Sequence, residues 1–336
     1  MRRNGLDTSS FDLLLASEDE EGYGGNGYAL TEEEKKLLPS GFLSSRPLRR
    51  LLMLRESIQS ETGPLGRGDA DFFFLALANV IVSGAGNFAF GPEIYRTKPK
   101  YDYDVLGHFA RQASGMIAEL AAIQRRRLSP VSCEVYMDDA RDMARVEGSV
   151  HAVITSPPYP NEKDYTRTTR VESILLRLIA DKEQLRSVKE SLLRSNTRNV
   201  FVRDTDGDLV QEFPSIRKVC EDIEARRIEL NKTSGFERLY HRVVAHYFGG
   251  MRRHFRALYS KLASGSKCAY VVGDQLSFLM VHVKTARLLT EVAEAEGFRF
   301  AGCELWRERI GTKVRNARTP VATVRVREEI LTLEKP

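Results

Sequence analysis

Residues 150–159 read Val-His-Ala-Val-Ile-Thr-Ser-Pro-Pro-Tyr, a short apolar run that ends abruptly in two hydroxyl residues, two prolines and an aromatic ring. The β-branched run predicts a strand. The prolines must end it, because proline has a fixed φ and no N–H for a ladder. Open α/β sheets bind ligands beyond the carboxyl ends of their strands. The tip at residues 155–159 is therefore predicted to be a functional site rather than a simple Pro-Pro turn.

The chain from residue 131 onward alternates predicted strands with predicted helices, a pattern typical of an α/β sheet. The predicted strands are 133–136, 150–154, 267–272, 298–306 and 321–334, with the last two forming an antiparallel hairpin. The predicted helices are 171–178, 236–262 and 281–296. Residues 181–235 form a polar insertion with helical stretches, which suits contact with DNA or a partner.

The first 130 residues have a different pattern. Residues 1–40 contain an acidic run and a glycine cluster and are predicted to be a flexible arm, with a helix start at Thr31. Residues 41–130 are a helical region with apolar periodicity over 46–60, 71–81 and 105–127. The predicted division is thus an arm (1–40), a helical region (41–130) and a catalytic α/β domain (131–336) with the insertion 181–235.

Composition narrows the class of protein. A chain of 336 residues with 42% hydrophobic content can bury a sizeable core. No apolar run reaches the ~18 residues of a membrane span, and the N-terminus leads into acidic sequence rather than a secretory signal. The four cysteines lack paired short spacing, which argues against a zinc site or a disulfide framework. We therefore expect a cytoplasmic protein without a metal centre.

The string Thr-Ser-Pro-Pro-Tyr resembles the catalytic motif of DNA methyltransferases that modify an exocyclic amine. In that family Ser, Asn or Asp precedes Pro-Pro and an aromatic residue. The resemblance implies that the Ser156 hydroxyl and the Pro157 carbonyl accept the amine hydrogens, and that Tyr159 stacks on the flipped base beside Pro158. The methyl group then passes directly from S-adenosylmethionine to nitrogen, so no cysteine is needed. Serine at 156 favours cytosine N4, while adenine N6 remains open.

The resemblance extends past the motif and, by order of elements, over residues 40–334. It implies that Asp139 and Thr155 contribute to the cofactor site, although an N-cap is an equal alternative for Asp139. It also implies that residues after the motif shape the base pocket or contact the flipped nucleotide's backbone; these are Asp164, Tyr165 and Arg167.

The charge pattern permits nucleic-acid binding without demonstrating it. The formal net charge is +5, a mild excess of the sign that DNA attracts. We expect phosphate contacts from two basic stretches of the chain. The candidate residues are Arg96, Lys98, Arg309, Lys313 and Arg315.

The sequence lacks, in good form, the glycine-rich turn that the resembled family uses to hold its cofactor. Ser83–Gly91 is the only candidate, and we reject it because the preceding run 71–81 is predicted to be helical rather than a strand. The resemblance therefore predicts only part of a Rossmann-like class I methyltransferase sheet. A half-sheet exposes an unpaired apolar edge that invites another chain. We expect a companion subunit that carries the missing loop.

The favoured function is thus one subunit of a split DNA methyltransferase, most simply a cytosine-N4 enzyme of a restriction or phage-defence system. That setting comes from the resemblance alone. Two alternatives stay open: a non-catalytic DNA-recognition or regulatory subunit that retains the motif, and an RNA or protein-glutamine methyltransferase. The intact Ser156 and Tyr159 favour turnover, and the long insertion favours DNA.

Overall fold

The computed structural model describes residues 28–62, 67–91, 93–126, 131–161, 163–310 and 325–336. The chain divides into two compact units, an N-terminal unit of Met1–Val131 with Tyr165–Arg186 and a C-terminal unit of Ser132–Asp164 with Ser187–Pro336. The first division lies one residue from the predicted boundary at 130. The segment Tyr165–Arg186 differs from the predicted division, since it groups with the N-terminal unit and not with the catalytic domain.

The N-terminal unit is mainly helical, as the periodicity of residues 41–130 predicts. It begins with the short helix α1 (Glu32–Leu37), and its longer helices are α2 (Ser45–Thr62), α3 (Arg67–Asn79) and α4 (Val105–Arg125). The helix start at Thr31 is confirmed, because its hydroxyl accepts from the Glu34 N–H at 3.1 Å and its own N–H donates to the Glu34 carboxylate at 2.7 Å. The buried residues of this unit include Leu51, Leu77 and Phe109.

The rejected glycine segment follows a helix, as predicted. Helix α3 continues as a π-helical turn over Val80–Ala85, and a short hairpin of β1 (Phe88–Phe90) and β2 (Ile94–Arg96) comes after it. The Lys100 ammonium donates to the Gly84 carbonyl and, at 2.8 Å, to the Gly86 carbonyl. This lysine thereby satisfies carbonyls that the end of the turn leaves without helical partners.

A buried arginine explains why residues 165–186 group with the N-terminal unit. This segment contains α5 (Tyr165–Thr168) and α6 (Arg170–Leu175), so the helix predicted over 171–178 begins and ends earlier than expected. The Arg55 guanidinium is almost fully buried, and it pairs with Glu34 at 2.9 Å and donates to the Leu175 carbonyl at 3.1 Å. A buried cation needs such partners to offset its lost hydration.

The C-terminal unit contains a mixed four-stranded sheet in the order β3-β4-β6-β5. The strands are β3 (Val150–Thr155), β4 (Leu262–Gly273), β5 (Arg299–Ile310) and β6 (Arg325–Glu334). Strands β3 and β4 are parallel, and the other pairings are antiparallel. The predicted hairpin of the last two strands is confirmed, and β6 lies between β4 and β5. The α/β class is therefore correct.

Helices cover one face of this sheet. They are α8 (Pro214–Glu229), α9 (Tyr240–Lys261) and α10 (Thr285–Ala295). With α7 (Lys182–Ser191), which has no buried residue, α8 confirms helical stretches in the insertion 181–235. Alternate residues of β4, Cys268, Tyr270 and Val272, join the same apolar core as Leu331 and Leu333 of β6. Burial of each large apolar side chain stabilises the folded chain by about 1.5–3 kcal/mol. The core of the C-terminal unit therefore lies against the two central strands, β4 and β6.

The strand predicted over 133–136 is wrong. Residues 131–139 form no strand pairing among the described residues, and Val131, Val135 and Met137 are 87%, 90% and 92% exposed. A short segment that favours extended structure becomes a strand only where a neighbour satisfies its backbone groups. Within the described ranges, this segment has no such neighbour, and β3 stands at one end of the strand order.

One helical stretch passes a length-and-composition test for a membrane span. Among the described residues, Gly68–Ala85 is long and apolar enough to cross a bilayer, contrary to the expectation that no such run exists. Phe73, Leu77 and Ile81 from this stretch are buried in the core of the N-terminal unit. Such burial is typical of a core helix of a soluble protein, and the cytoplasmic location stays a prediction.

Candidate active site at the end of strand β3

The predicted motif lies at the tip of β3, where the strand leaves the sheet. Thr155 is the last residue of β3 and lies opposite Tyr270 of β4. The next side chain, Ser156, is exposed, and its hydroxyl donates to the Val271 carbonyl at 3.3 Å. This separation is long for an O–H···O bond, so the contact is weak. The serine oxygen keeps its lone pairs available for a donor from outside.

The residues around the prolines turn the chain away from the sheet. Pro157 and Pro158 are half-buried, and Pro160 is buried. Asn161 then adopts a left-handed conformation with φ of 56°, which asparagine tolerates better than most residues. The turn keeps the motif at the carboxyl end of the parallel strands, where sheets of this class bind ligands.

The ring of Tyr159 is half-buried and has two defined neighbours in the same unit. The Arg309 guanidinium lies over the ring, with its Cζ 5.8 Å from the ring centroid. Gly273, the last residue of β4, approaches so closely that a Cβ there would lie 2.7 Å from Cε2 of the tyrosine. Glycine is therefore required at 273 because of this close approach.

A buried carboxylate anchors the arginine. Glu328 is only 3% exposed, and its Oε1 lies 3.0 Å from Nε of Arg309, while its Oε2 contacts Nε of Arg307. The sheet register brings the set together, because Glu328 lies opposite Gly273 on one side and opposite Arg307 on the other. A carboxylate removed from water is tolerated only with such partners.

Asp139 makes local contacts within a turn, and no helix begins at it among the described residues, so the N-cap alternative is not confirmed. Its carboxylate accepts from the Arg141 backbone N–H at 2.9 Å and from Nη2 of the same arginine at 2.6 Å. Burial acts to raise the pKa of Asp139, but the bonds and charge of Arg141 outweigh it, so the pKa lies below its usual range. Arg141 also pairs with Asp206 at 3.1 Å. The predicted cofactor role of Asp139 remains a prediction.

The residues that follow the motif divide between the two units. Asp164 belongs to the C-terminal unit and is 4% exposed, with the Lys189 ammonium 3.9 Å from its carboxylate. The predicted role of Asp164 in the base pocket or in a DNA contact remains a prediction. Tyr165 and Arg167 belong to the N-terminal unit, and Arg167 pairs with Glu93 at 2.6 Å.

The predicted phosphate contacts do not form one patch within a unit. Arg96 and Lys98 are exposed in the N-terminal unit, whereas Arg309 belongs to the C-terminal unit. The side chain of Arg309 is 38% exposed and has a carboxylate partner of its own. Lys313 and Arg315 lie outside the described residues.

Sequence reasoning missed two residues that build this site. Gly273 is visible in the sequence only as a turn residue after a strand, and its role depends on the ring that approaches it. Glu328 had a detectable signal, because strand alternation places it on the same side as Val326 and Ile330. A carboxylate at a strand position whose neighbours on the same side are apolar indicates a buried ion pair.

Two cysteines of the C-terminal unit are poor nucleophiles because they are largely buried. Burial raises the pKa of Cys268 to about 11 and that of Cys220 to about 12, so both thiols are protonated at neutral pH. Across the described ranges, no group of three or more histidine, cysteine or acidic side chains is arranged to hold a metal ion.

No protein-family model matches the chain, and neither a curated protein nor a solved structure matches it. A functional assignment therefore depends on the geometry of the site and on the motif.

Proposed function

We propose that this chain is the catalytic-motif subunit of an S-adenosylmethionine-dependent DNA methyltransferase. Its acceptor is the exocyclic amine of a flipped base, with cytosine N4 favoured, in a cytoplasmic restriction or phage-defence system. The observation that carries the proposal is the exposed Ser156 beside Tyr159 at the carboxyl end of a parallel strand. Hydroxyl, proline carbonyl and aromatic ring are then within a few residues of one another at a ligand-binding edge.

The chemistry follows from what these atoms can accept. The amine of a base is a weak nucleophile because its lone pair is delocalised into the ring. The Ser156 hydroxyl donates its hydrogen to the Val271 carbonyl, so its oxygen is available to accept a hydrogen bond from the base. Together with the Pro157 carbonyl it draws the two amine hydrogens out of the base plane. Tyr159 stacks on the base and holds it there.

The described residues do not complete a cofactor site. S-adenosylmethionine supplies the methyl group when bound, and Thr155 lies at the edge where it would be received. The carboxylate of Asp139, however, is bonded to Arg141. Gly84 lies within a π-helical turn and Gly86 caps it, so this glycine segment follows a helix rather than a strand. We therefore propose that a companion subunit brings the glycine-rich loop and the acid for the ribose.

The edge of the sheet supports this second part of the proposal. Ile154 of β3 is 87% exposed, and the extended segment before β3 carries Val135 and Met137 at 90% and 92% exposure. Parallel sheets are normally covered on both faces, and an exposed strand edge pairs readily with another chain. Strands from a companion would pair with β3 and with residues 131–139 and cover these side chains.

Base analysis of modified DNA tests the proposal. The chain is coexpressed with its genomic neighbour, and cellular DNA is digested to nucleosides for mass spectrometry. We expect N4-methylcytosine, with Tyr159→Ala abolishing it and Ser156→Ala lowering the rate more than DNA binding. N6-methyladenine would reassign the acceptor, whereas the absence of any modified base would favour a non-catalytic recognition subunit.

Matched controls keep the test specific. Ser260→Ala removes another hydroxyl that bonds to a backbone carbonyl, and Tyr101→Ala removes a tyrosine that is 74% exposed. Neither residue lies at the end of β3, so both variants are expected to methylate as the unmodified chain does. Equal loss of activity in these controls would contradict the assignment of Ser156 and Tyr159.

A further inference from the structure

We propose that Arg309 is a positioning residue for Tyr159 and that the buried Glu328 holds it in place. The guanidinium lies over the ring and restricts its orientation. This inference rests on the proposed function and adds to it a residue that the motif does not contain.

The first step of the argument is the anchor. Glu328 is buried, and its two oxygens contact Arg309 and Arg307. Because the carboxylate lies on β6, a strand paired on both sides, it has little freedom to move. The guanidinium of Arg309 is consequently held at a defined place above the end of β4.

The second step is the confinement of the ring. A Cβ at Gly273 would lie 2.7 Å from Cε2 of Tyr159 and 3.1 Å from Nη2 of Arg309. The backbone of β4 at Gly273 therefore restricts the positions that the Tyr159 ring and the Arg309 guanidinium can adopt. With the guanidinium over the ring as well, the position and tilt that Tyr159 offers to a base are restricted.

The third step concerns charge. Two guanidinium groups share one carboxylate, so the set keeps a net positive charge beside the ring. A planar guanidinium lies favourably over an aromatic face. A lysine at 309 would preserve the charge but lack the planar group. Positioning therefore depends on the shape of Arg309 more than on its charge.

A spectroscopic experiment tests the positioning without any methyl transfer. The chain is labelled with 3-fluorotyrosine, and the fluorine resonance of Tyr159 is identified by its loss in Tyr159→Phe. We expect Arg309→Met to shift and broaden this resonance, and Arg309→Lys to do so less. Arg299→Met is the matched control, because Arg299 also pairs across β5 and β6, with Glu334 at 2.7 Å. It should leave the resonance unchanged.

A kinetic experiment with the companion subunit separates positioning from phosphate contact. Misplacement of a group by ~1 Å costs on the order of 100-fold, so Arg309→Met should lower kcat by about 10- to 100-fold with unchanged affinity for DNA. Arg309→Lys should recover part of the rate. Weaker DNA binding with a smaller salt dependence, together with unchanged kcat and an unmoved resonance, would show a phosphate contact and overturn the inference.

The two experiments fail in different ways. If the unmodified pair transfers no methyl group, the proposed function is wrong, while the fluorine spectra still decide whether Arg309 fixes the ring. If the unmodified pair is active and Arg309→Met matches it in rate and in spectrum, only the positioning role is wrong. Should Arg309→Met fail to fold, Arg309→Lys carries both measurements.

Discussion

The centre of the sheet and its β3 edge are built from similar residues, but their side chains differ in exposure to solvent. Leu331 and Leu333 of β6 are 0% exposed, whereas Ile154 of β3 is 87% exposed. Both strands are rich in residues that favour strands. The difference shows that an apolar pattern identifies a surface that needs to be covered, and does not reveal which chain covers it.

The largest expected effect tests the centre. Leu331→Ala should lower the free energy of unfolding by about 2–5 kcal/mol, because it removes buried methyl groups and leaves a cavity. Ile154→Ala is the matched variant at the edge, and in the chain alone it should change stability by less than about 0.5 kcal/mol. Urea denaturation of both variants measures the contrast. Similar losses in both would mean that the edge is already covered.

A substitution at Gly273, between the sheet centre and the β3 edge, should have an intermediate effect on the free energy of unfolding. Gly273→Ala forces a Cβ against the ring of Tyr159, and overpacking of this kind costs about 1–3 kcal/mol. Gly115→Ala is the control, because no atom lies within 4 Å of a Cβ at that helical position. The control should be neutral or stabilising, by up to about 1 kcal/mol. Thermal unfolding distinguishes them, and a fully stable Gly273→Ala would contradict the close approach.

The β3 edge can be examined through its backbone as well as its side chains. Amide groups of β4 and β6 that pair within the sheet should be protected from hydrogen exchange. Amides of β3 directed away from β4 should exchange rapidly in the chain alone and slow down when the companion subunit is added. Protection of these amides without a partner would contradict an open edge. Ile154→Asp should then weaken binding of the companion in a pull-down while leaving the isolated chain folded.

The smallest expected effect is a pH dependence in the core. His246 is 6% exposed, and its Nδ1 accepts from the Gly207 N–H at 2.9 Å. Burial lowers the pKa of His246, so the unfolded chain binds this proton more readily than the folded one. Stability should accordingly be constant above the ordinary histidine pKa of about 6.5 and fall as the pH drops below it.

The variant His246→Asn isolates this contribution, because its amide oxygen keeps an acceptor for Gly207. Its stability should depend less on pH than that of the unmodified chain in urea titrations. His151→Asn, on the exposed side of β3, controls for the loss of a histidine. An unchanged pH dependence in His246→Asn would contradict the buried neutral state.

The sequence predicts well what depends on neighbours along the chain. The helices of the N-terminal region and the hairpin of β5 and β6 follow from periodicity, and the end of β3 follows from Pro157 and Pro158. Strand pairing between segments far apart in the chain is harder to predict from the sequence. The insertion of β6 between β4 and β5, and the failure of 133–136 to become a strand, both depend on which strands lie alongside.

The same limit applies to the candidate site. The motif residues are adjacent in the chain, so a pattern is enough to find them. Gly273, Arg309 and Glu328 come from three different strands, and only the sheet register makes them neighbours. The grouping of residues 165–186 with the N-terminal unit has a related cause, since the buried Arg55 binds that segment through a contact 120 residues apart in sequence.

The backbone N–H and C=O groups of β3 that are directed away from β4 have a consequence for the concentration of this protein in a cell. A free strand edge does not distinguish between a correct companion and another extended segment, including β3 of a second copy. Copies in excess would compete for one another's hydrogen bonds and assemble edge to edge. Under the proposed pairing with a companion, balanced synthesis of the two chains would also act as a safeguard against self-association.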